Sequence, residues 1–159
     1  MRIHFGLRYG IAIILVMCLN AFSQTWTAQT SGTTATMYAS SFVDANNGWI
    51  SGTSGQLLHT TNGGLSWSSQ ATGATNTIYG LNFVDANSGW ASGFNSIVYS
   101  TTNAGSLWLS QYSTLFAVKS QRFSNANTGL IGGTDGNIYK TTDGCVSWVL
   151  QETAMLNIC

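Results

Sequence analysis

The stretch FVDANNGWISG, residues 42–52, recurs almost unchanged as FVDANSGWASG at residues 83–93. A third and more divergent copy, FSNANTGLIGG, occupies residues 123–133. Working outward, each copy is followed by a Thr-Thr-Asn or Thr-Thr-Asp turn and then by a tryptophan, at Trp67, Trp108 and Trp148. The copies recur about every 40 residues, which is the repeat length of a propeller blade and longer than that of most solenoids.

Each unit contains four short runs of strand-forming residues separated by turn residues. In the first unit, the segment from Tyr38 to Val43 alternates with Tyr38, Ser40 and Phe42 on one face, which is the period of a β-strand. The Asp, Asn and Gly residues between the runs favour tight turns, because Asp and Asn bond to their own backbone and Gly adopts positive φ. Four antiparallel strands joined by tight hairpins form one propeller blade.

The sequence therefore predicts an all-β protein, a β-propeller whose three four-stranded antiparallel blades form an open arc. The expected blades are residues 37–76, 77–117 and 118–152, within a propeller segment of residues 24–159. Residues 25–29 resemble the fourth strand of a unit, and residues 153–159 are the expected start of a further blade. Because closed propellers have four to eight blades, we expect a fragment of a longer protein, whose open sheet edges favour self-association.

The N-terminal segment, residues 1–23, is predicted to be a cleaved signal peptide. Two arginines precede a short apolar run at residues 11–19, and the small residues Ala21 and Ser23 flank a cleavage site. The run is shorter than the roughly 20 residues that span a bilayer, so no membrane span is expected once the signal is removed. The expected location is secreted, periplasmic or on the cell surface.

The three cysteines bear on two questions: whether the chain is a lipoprotein and whether it contains a disulfide. Cys18 could be the lipidated residue of a lipoprotein signal, but Met17 is bulky where a small residue is expected, so we disfavour this interpretation. Cys145 and Cys159 would remain in an oxidising compartment, where pairing is possible. We interpret them as incidental to the fold.

The turn before each tryptophan resembles the Asp-box (BNR) repeat, whose pattern is Ser/Thr-x-Asp-x-Gly-x-Thr-Trp. The three copies read TTNGGLSW at 60–67, TTNAGSLW at 101–108 and TTDGCVSW at 141–148. In this motif the Asp or Asn side chain caps backbone N–H groups across a hairpin, and the tryptophan packs between blades. The residues interpreted as structural parts of these turns are Asn62, Gly64, Trp67, Asn103, Gly105, Trp108, Asp143 and Trp148. Asn for Asp in two copies, and Cys145 for Gly in the third, are expected to weaken the hairpin.

Together with the FVDAN segments, these motifs make the chain from Trp26 onward similar to the photosystem II stability/assembly factor-like propellers. The resemblance implies a non-catalytic platform that binds a protein or cell-surface partner. Asp-box repeats also occur in sialidases and xyloglucan-degrading enzymes, so the alternative is part of a glycoside hydrolase whose catalytic residues lie elsewhere.

Composition excludes several other functions. Charged residues make up 6% of the chain and the formal net charge is zero, so no basic patch is expected for nucleic acid. A sialidase would need several arginines, but only Arg122 follows the signal peptide. We therefore predict no catalytic, cofactor or metal site. Tyr112 and Arg122, which interrupt the repeat, are the candidate partner contacts, since Tyr and Arg are enriched in interfaces.

Overall fold

The computed structural model describes residues 27–93, 96–112 and 117–151. This part of the chain forms three sheets of four antiparallel strands each, and every sheet follows the order of the strands along the chain. Blade 1 contains β1 (Met37–Phe42), β2 (Gly48–Gly52), β3 (Leu57–Thr60) and β4 (Ser68–Ser69). Blade 2 contains β5 (Ile78–Phe83), β6 (Gly89–Gly93), β7 (Ile97–Thr101) and β8 (Leu109–Tyr112). Blade 3 contains β9 (Val118–Phe123), β10 (Gly129–Gly133), β11 (Ile138–Thr141) and β12 (Val149–Gln151).

The predicted fold class is confirmed: the described residues form three blades of an incomplete propeller. A single 3-10 turn, Thr53–Gly55, is the one departure from strands and loops among the described residues. None of the described helical segments is long and apolar enough to cross a membrane. Thr27–Thr30 adopt no regular structure, and the predicted signal peptide and the segment 153–159 lie outside the described residues. The exact blade boundaries stay a prediction.

A phenylalanine at the end of each first strand lies over a glycine at the start of the second. Phe42, Phe83 and Phe123 are the register partners of Gly48, Gly89 and Gly129, respectively. A Cβ atom on these glycines would lie 2.2, 2.5 and 2.4 Å from the nearest carbon of the ring. Any side chain would therefore displace the ring, which explains why the repeat carries glycine here.

The blades are joined by stacked aromatic rings. Trp49 of blade 1 stacks on Phe83 of blade 2 with ring centroids 3.6 Å apart and planes 7° from parallel. Trp90 of blade 2 stacks on Phe123 of blade 3 in the same way, at 3.9 Å and 2°. Hydrophobic clusters around these two pairs make up the core, so the apolar interior lies between the sheets.

We call each of these contacts between neighbouring blades a joint, and hydrogen bonds between backbone and side chains reinforce it. The backbone N–H of Phe83 donates to Ser41 Oγ of the preceding blade (2.9 Å), and that of Phe123 donates to Asn82 Oδ1 (2.6 Å). Gln121 Nε2 also donates to the carbonyl of Trp90 at 2.7 Å. Each joint thus combines a ring stack with an acceptor for the N–H of the stacked phenylalanine.

The first strands of the three blades lie side by side, β1 next to β5 and β5 next to β9. Each has a bulge near its start, at Tyr38, Tyr79 and Lys119. Tyr38 contacts Tyr79 edge to face at 5.2 Å, and Lys119 Nζ lies 3.6 Å from the centre of the Tyr79 ring. These contacts link the inner strands at the end of the blades opposite the Phe–Gly pairs.

The position of each phenylalanine gives a test of the joint. Phe83 is 5% exposed and Phe42, its equivalent in blade 1, is 51% exposed. We expect Phe83→Ala to lower the free energy of unfolding by about 3–5 kcal/mol, because the cavity forms inside the core. The matched control Phe42→Ala should lower it by about 1 kcal/mol or less, because its ring is already half in water. Urea unfolding measures both free energies. Equal losses of stability would contradict the conclusion that the Phe83 stack holds blades 1 and 2 together.

Candidate binding surface

Each blade has a row of four side chains on one face of its sheet, and in blades 1 and 2 this face meets the next blade. We call this the forward row: it contains the residues that pair across the four strands next to the phenylalanine, and directly paired residues share a face of the sheet. In blade 1 the row is Ser41, Trp49, His59 and Ser68. In blade 2 it is Asn82, Trp90, Ser100 and Leu109. In blade 3 it is Arg122, Leu130, Lys140 and Val149.

The forward row of blade 3 differs from the other two in chemistry and in exposure. Leu130 replaces the stacking tryptophan and is 45% exposed. Arg122 and Lys140 flank it, and both are exposed. The three side chains line an open groove of about 400 Å³ with Thr128 and Gln151, and no carboxylate belongs to its described lining. The groove therefore combines an apolar centre with a positive charge on either side.

The two predicted partner contacts lie on different elements. Arg122 is on β9, the inner strand of blade 3, whereas Tyr112 ends β8, the outer strand of blade 2. Arg122 is instead brought next to Leu130 and Lys140, which sequence reasoning did not select. The strand register reveals this grouping, because the three residues lie on three successive strands and are paired across them.

The Asp-box residues form the same hydrogen bonds in all three blades. The side chains of Asn62, Asn103 and Asp143 each accept a bond from the hydroxyl of the threonine two residues earlier, at 2.9, 3.0 and 2.8 Å. Each also accepts the backbone N–H four residues later, at 2.9, 2.8 and 2.9 Å. The threonine hydroxyl in turn accepts the N–H of Gly64, Gly105 or Cys145. The substitutions of Asn for Asp and Cys for Gly leave this pattern in place.

The Asp-box tryptophans contact the phenylalanine of their own blade edge to face. Trp67 lies 6.2 Å from Phe42, Trp108 lies 5.9 Å from Phe83, and Trp148 lies 6.3 Å from Phe123. Trp108 also belongs to a cluster with blade 1 residues. The parallel stacks across the joints come from Trp49 and Trp90, which were not singled out in the sequence. The sequence feature that could have identified them is the Gly-Trp pair shared by two copies, which is Gly-Leu in the third.

Cys145 occupies the glycine position of the third Asp-box turn. Its φ of +80° is matched by values of +88° and +86° at Gly64 and Gly105. The side chain is 2% exposed in the cluster around Trp90, and burial raises the pKa of the thiol to about 12. A thiol with this pKa is unreactive at neutral pH. Cys159 lies outside the described residues, so pairing between the two cysteines stays an open question.

The described carboxylates are engaged in turns. Asp44 and Asp85 accept two backbone N–H bonds each, and Asp135 accepts the Tyr139 hydroxyl at 2.8 Å. A hydrogen bond from the Asn47 side chain holds the pKa of Asp44 below its usual value, and the backbone N–H of Asn87 does the same for the pKa of Asp85. A catalytic acid needs the opposite, a raised pKa. Glu152 is outside the described residues.

The described residues give little support for catalysis by histidine or for a metal site. His59 lies in the forward row of blade 1, where its ring stacks on Trp49 at 4.4 Å. Burial lowers the pKa of this imidazole. Across residues 27–93, 96–112 and 117–151, no three His, Cys, Asp or Glu side chains form a group that could hold a metal ion.

The single aspartate among the three Asp-boxes gives a pH test. Hydrogen bonds from the side chain and then the backbone of Ser147 lower the pKa of Asp143 from 3.8 to about 2. Its ionised form therefore stabilises the fold above pH 3.8, and this stabilisation is lost as the pH falls through about 2. We expect Asp143→Asn to keep the turn, as Asn does in blades 1 and 2, and to remove this part of the acid sensitivity.

Urea unfolding near neutral pH and at about pH 2 measures the difference between the native chain and the variant. Asp143→Ala is the control, because it removes the hydrogen bonds at both pH values. An identical loss of stability on acidification in the native chain and in Asp143→Asn would contradict the prediction.

Several solved structures are similar to this chain. A structure of YCF48 bound to a D1 peptide is 26% identical, with a TM-score of 0.72 over 80% of this chain and 44% of that one. YCF48 from Cyanidioschyzon merolae is 21% identical, with a TM-score of 0.66 over 73% of this chain and 37% of that one. A GH74 enzyme from Niastella koreensis is 19% identical, with a TM-score of 0.57 over 73% of this chain and 22% of that one.

The chain thus spans less than half the length of the structures it resembles. The likeness to the C. merolae protein and to the GH74 enzyme shows the fold alone. No protein with a curated description matches the chain. The model of the family described as photosynthesis system II assembly factor YCF48 matches residues 19–151. This match covers most of the sequence, and the chain therefore belongs to the YCF48-type BNR propeller family.

Proposed function

We propose that this chain is a secreted, non-catalytic propeller that binds a segment of a partner protein and serves as an assembly platform. The observation that carries the proposal is the match of residues 19–151 to the assembly-factor family. Arg122, one of the two candidate partner contacts, lies beside Leu130 and Lys140 on blade 3. Charge flanking an apolar centre is typical of surfaces that recognise other proteins. Membership of the assembly-factor family and the D1 peptide bound by a related YCF48 support it.

The glycoside hydrolase alternative has weaker support. The GH74 enzyme from Niastella koreensis is 19% identical, and a likeness at this level supports a shared fold alone. Most glycosidases use a pair of carboxyl groups, one of them with a raised pKa. The described aspartates accept hydrogen bonds in turns, and for Asp44, Asp85 and Asp143 these bonds lower the pKa.

Selection of displayed random peptides on the immobilised full-length chain tests the proposal. We expect selected peptides, once resynthesised, to bind in solution. Arg122→Ala should weaken the binding of peptides that occupy blade 3 by about tenfold or more, and Tyr112→Ala that of peptides that occupy the outer strand of blade 2, since interface Arg and Tyr are frequent hot spots. Neither change should shift the urea midpoint.

Val146→Ala is the control for this experiment, because Val146 is 82% exposed on the third Asp-box turn and does not line the groove. Failure to enrich any peptide would count against the proposed function. So would hydrolysis of xyloglucan or of a sialoside by the purified chain, which would favour the enzyme instead.

A further inference from the structure

The outer strand of blade 2 differs from the outer strands of the two neighbouring blades. β8 has four residues, whereas β4 has two and β12 has three. It is the last strand of its sheet, so one of its edges has no partner strand among the described residues. The segment 106–112 contains neither a charged residue nor a proline, which commonly keep an exposed edge from pairing. Because blade 2 lies between two described blades, the exposure of β8 does not arise at an end of the array.

The free edge of β8 presents backbone hydrogen-bonding groups. In blade 1 the N–H of Gln70 donates inward to the carbonyl of Leu57 at 2.9 Å. Gln111 holds the equivalent position in blade 2, where it pairs with Val98. Successive N–H groups of a strand point to opposite sides, so the N–H and C=O of Ser110 point away from the sheet. An extended polypeptide is the ligand that can bind both groups at once.

Two exposed leucines lie beside this edge. Leu107 is 59% exposed and Leu109 is 57% exposed, with blade 3 in place on that side. They line one shallow hollow of about 40 Å³ together with Ser100 and Asn103. Side chains of paired strands are neighbours on each face of a sheet. A strand added to β8 would therefore place its own side chains beside these leucines.

Leu107 replaces a serine that takes part in the Asp-box turn of both other blades. In blade 1, Asn62 Nδ2 donates a hydrogen bond to Ser66 Oγ at 2.8 Å. In blade 3, Ser147 Oγ donates to Asp143 Oδ2. A leucine has no group for this bond. Blade 2 thus lacks a hydrogen bond of the motif and exposes an apolar side chain in its place, a combination that the stability of the blade does not explain.

We propose that the outer edge of blade 2, at Leu107, Leu109 and Ser110, binds an extended, uncharged segment of a partner protein, which pairs with β8 as a fifth strand. Alternate residues of the segment are apolar, so that they cover the two leucines on one face. A sequence such as Thr-Val-Thr-Val-Thr meets these requirements. This site and its ligand chemistry rest on the proposed partner-binding function.

A second copy of the chain fits this edge less well than a linear segment. Four residues of a strand span roughly 13 Å. Stable interfaces between folded proteins bury about 1,200–2,000 Å², and two folded copies that touch only along β8 would bury much less. A flexible segment, in contrast, can follow the edge and fill the hollow beside it.

The probe for a direct test is a fluorescein-labelled peptide, Ser-Thr-Val-Thr-Val-Thr-Ser, with capped ends. Fluorescence anisotropy with the purified full-length chain measures its binding. Replacement of both Val residues by Ser should weaken binding by about tenfold or more, because the apolar contact is lost. Two further peptides carry N-methyl groups on alternate residues, in the two possible phases. One should bind nearly as well as the parent peptide and the other should not bind, because only alternate N–H groups of an added strand face β8.

Variants of the chain separate binding from folding. Leu107→Ser restores the motif, so it should weaken binding by about tenfold and leave the urea midpoint unchanged or raise it. Leu65→Ser is the matched control, because Leu65 is 80% exposed on the Asp-box turn of blade 1, and it should leave affinity within about twofold. Ser110→Pro removes an N–H that faces away from the sheet, a change that an edge strand tolerates, and should abolish binding.

Any of four results would overturn the inference. The first is no saturable binding of the parent peptide, and the second is an equal effect of N-methylation in both phases. The third is a urea midpoint that falls in Leu107→Ser, since the leucine would then serve folding. The fourth is sedimentation of the chain as a dimer that Ser110→Pro abolishes, because a second copy would then be the occupant. If peptides selected by display bind both variants as well as the native chain, β8 is not the site, while the proposed partner-binding function stands.

Discussion

The stack of a tryptophan on the phenylalanine of the next blade is the interaction on which the rest of this fold depends. Each sheet is four short strands wide, and its first strand carries a large ring over a glycine that has no room for a side chain. The ring is thereby held at one height on the blade, where Trp49 or Trp90 meets it face to face. Since the apolar interior consists of these inter-blade clusters, a blade depends on its neighbour for most of its burial.

The described aspartates and the described cations lie in different parts of the fold. The described aspartates serve turns, where hydrogen bonds favour the ionised carboxylate. The described cations Lys119, Arg122 and Lys140 all belong to blade 3. Of these, Lys119 covers a tyrosine ring of blade 2, whereas Arg122 and Lys140 face away from the neighbouring blade. A chain with few charged residues thus places two of them together on one surface.

The repeat made the fold class predictable, because turn residues and alternating apolar residues recur at equal distances in three copies. The contacts between blades were harder to predict from the sequence. Period-two alternation shows that a strand has two faces, but it does not reveal which face meets the next blade. Arg122 stood out as a departure from the repeat, whereas Leu130 and Lys140 became its neighbours only through the register of β9, β10 and β11. Tyr112 was selected on the same grounds, and its strand lies at the outer edge of a different sheet.

The third forward row also bears on how such a chain can grow by internal duplication. A tandem copy of the second unit would bring its own phenylalanine onto Trp90 and its N–H onto Asn82, and so would extend the array. A tandem copy of the third unit would bring a phenylalanine onto Leu130 and an amide hydrogen onto Arg122. Duplication of the second unit would therefore repeat the existing contact between blades, whereas duplication of the third unit would require a different one.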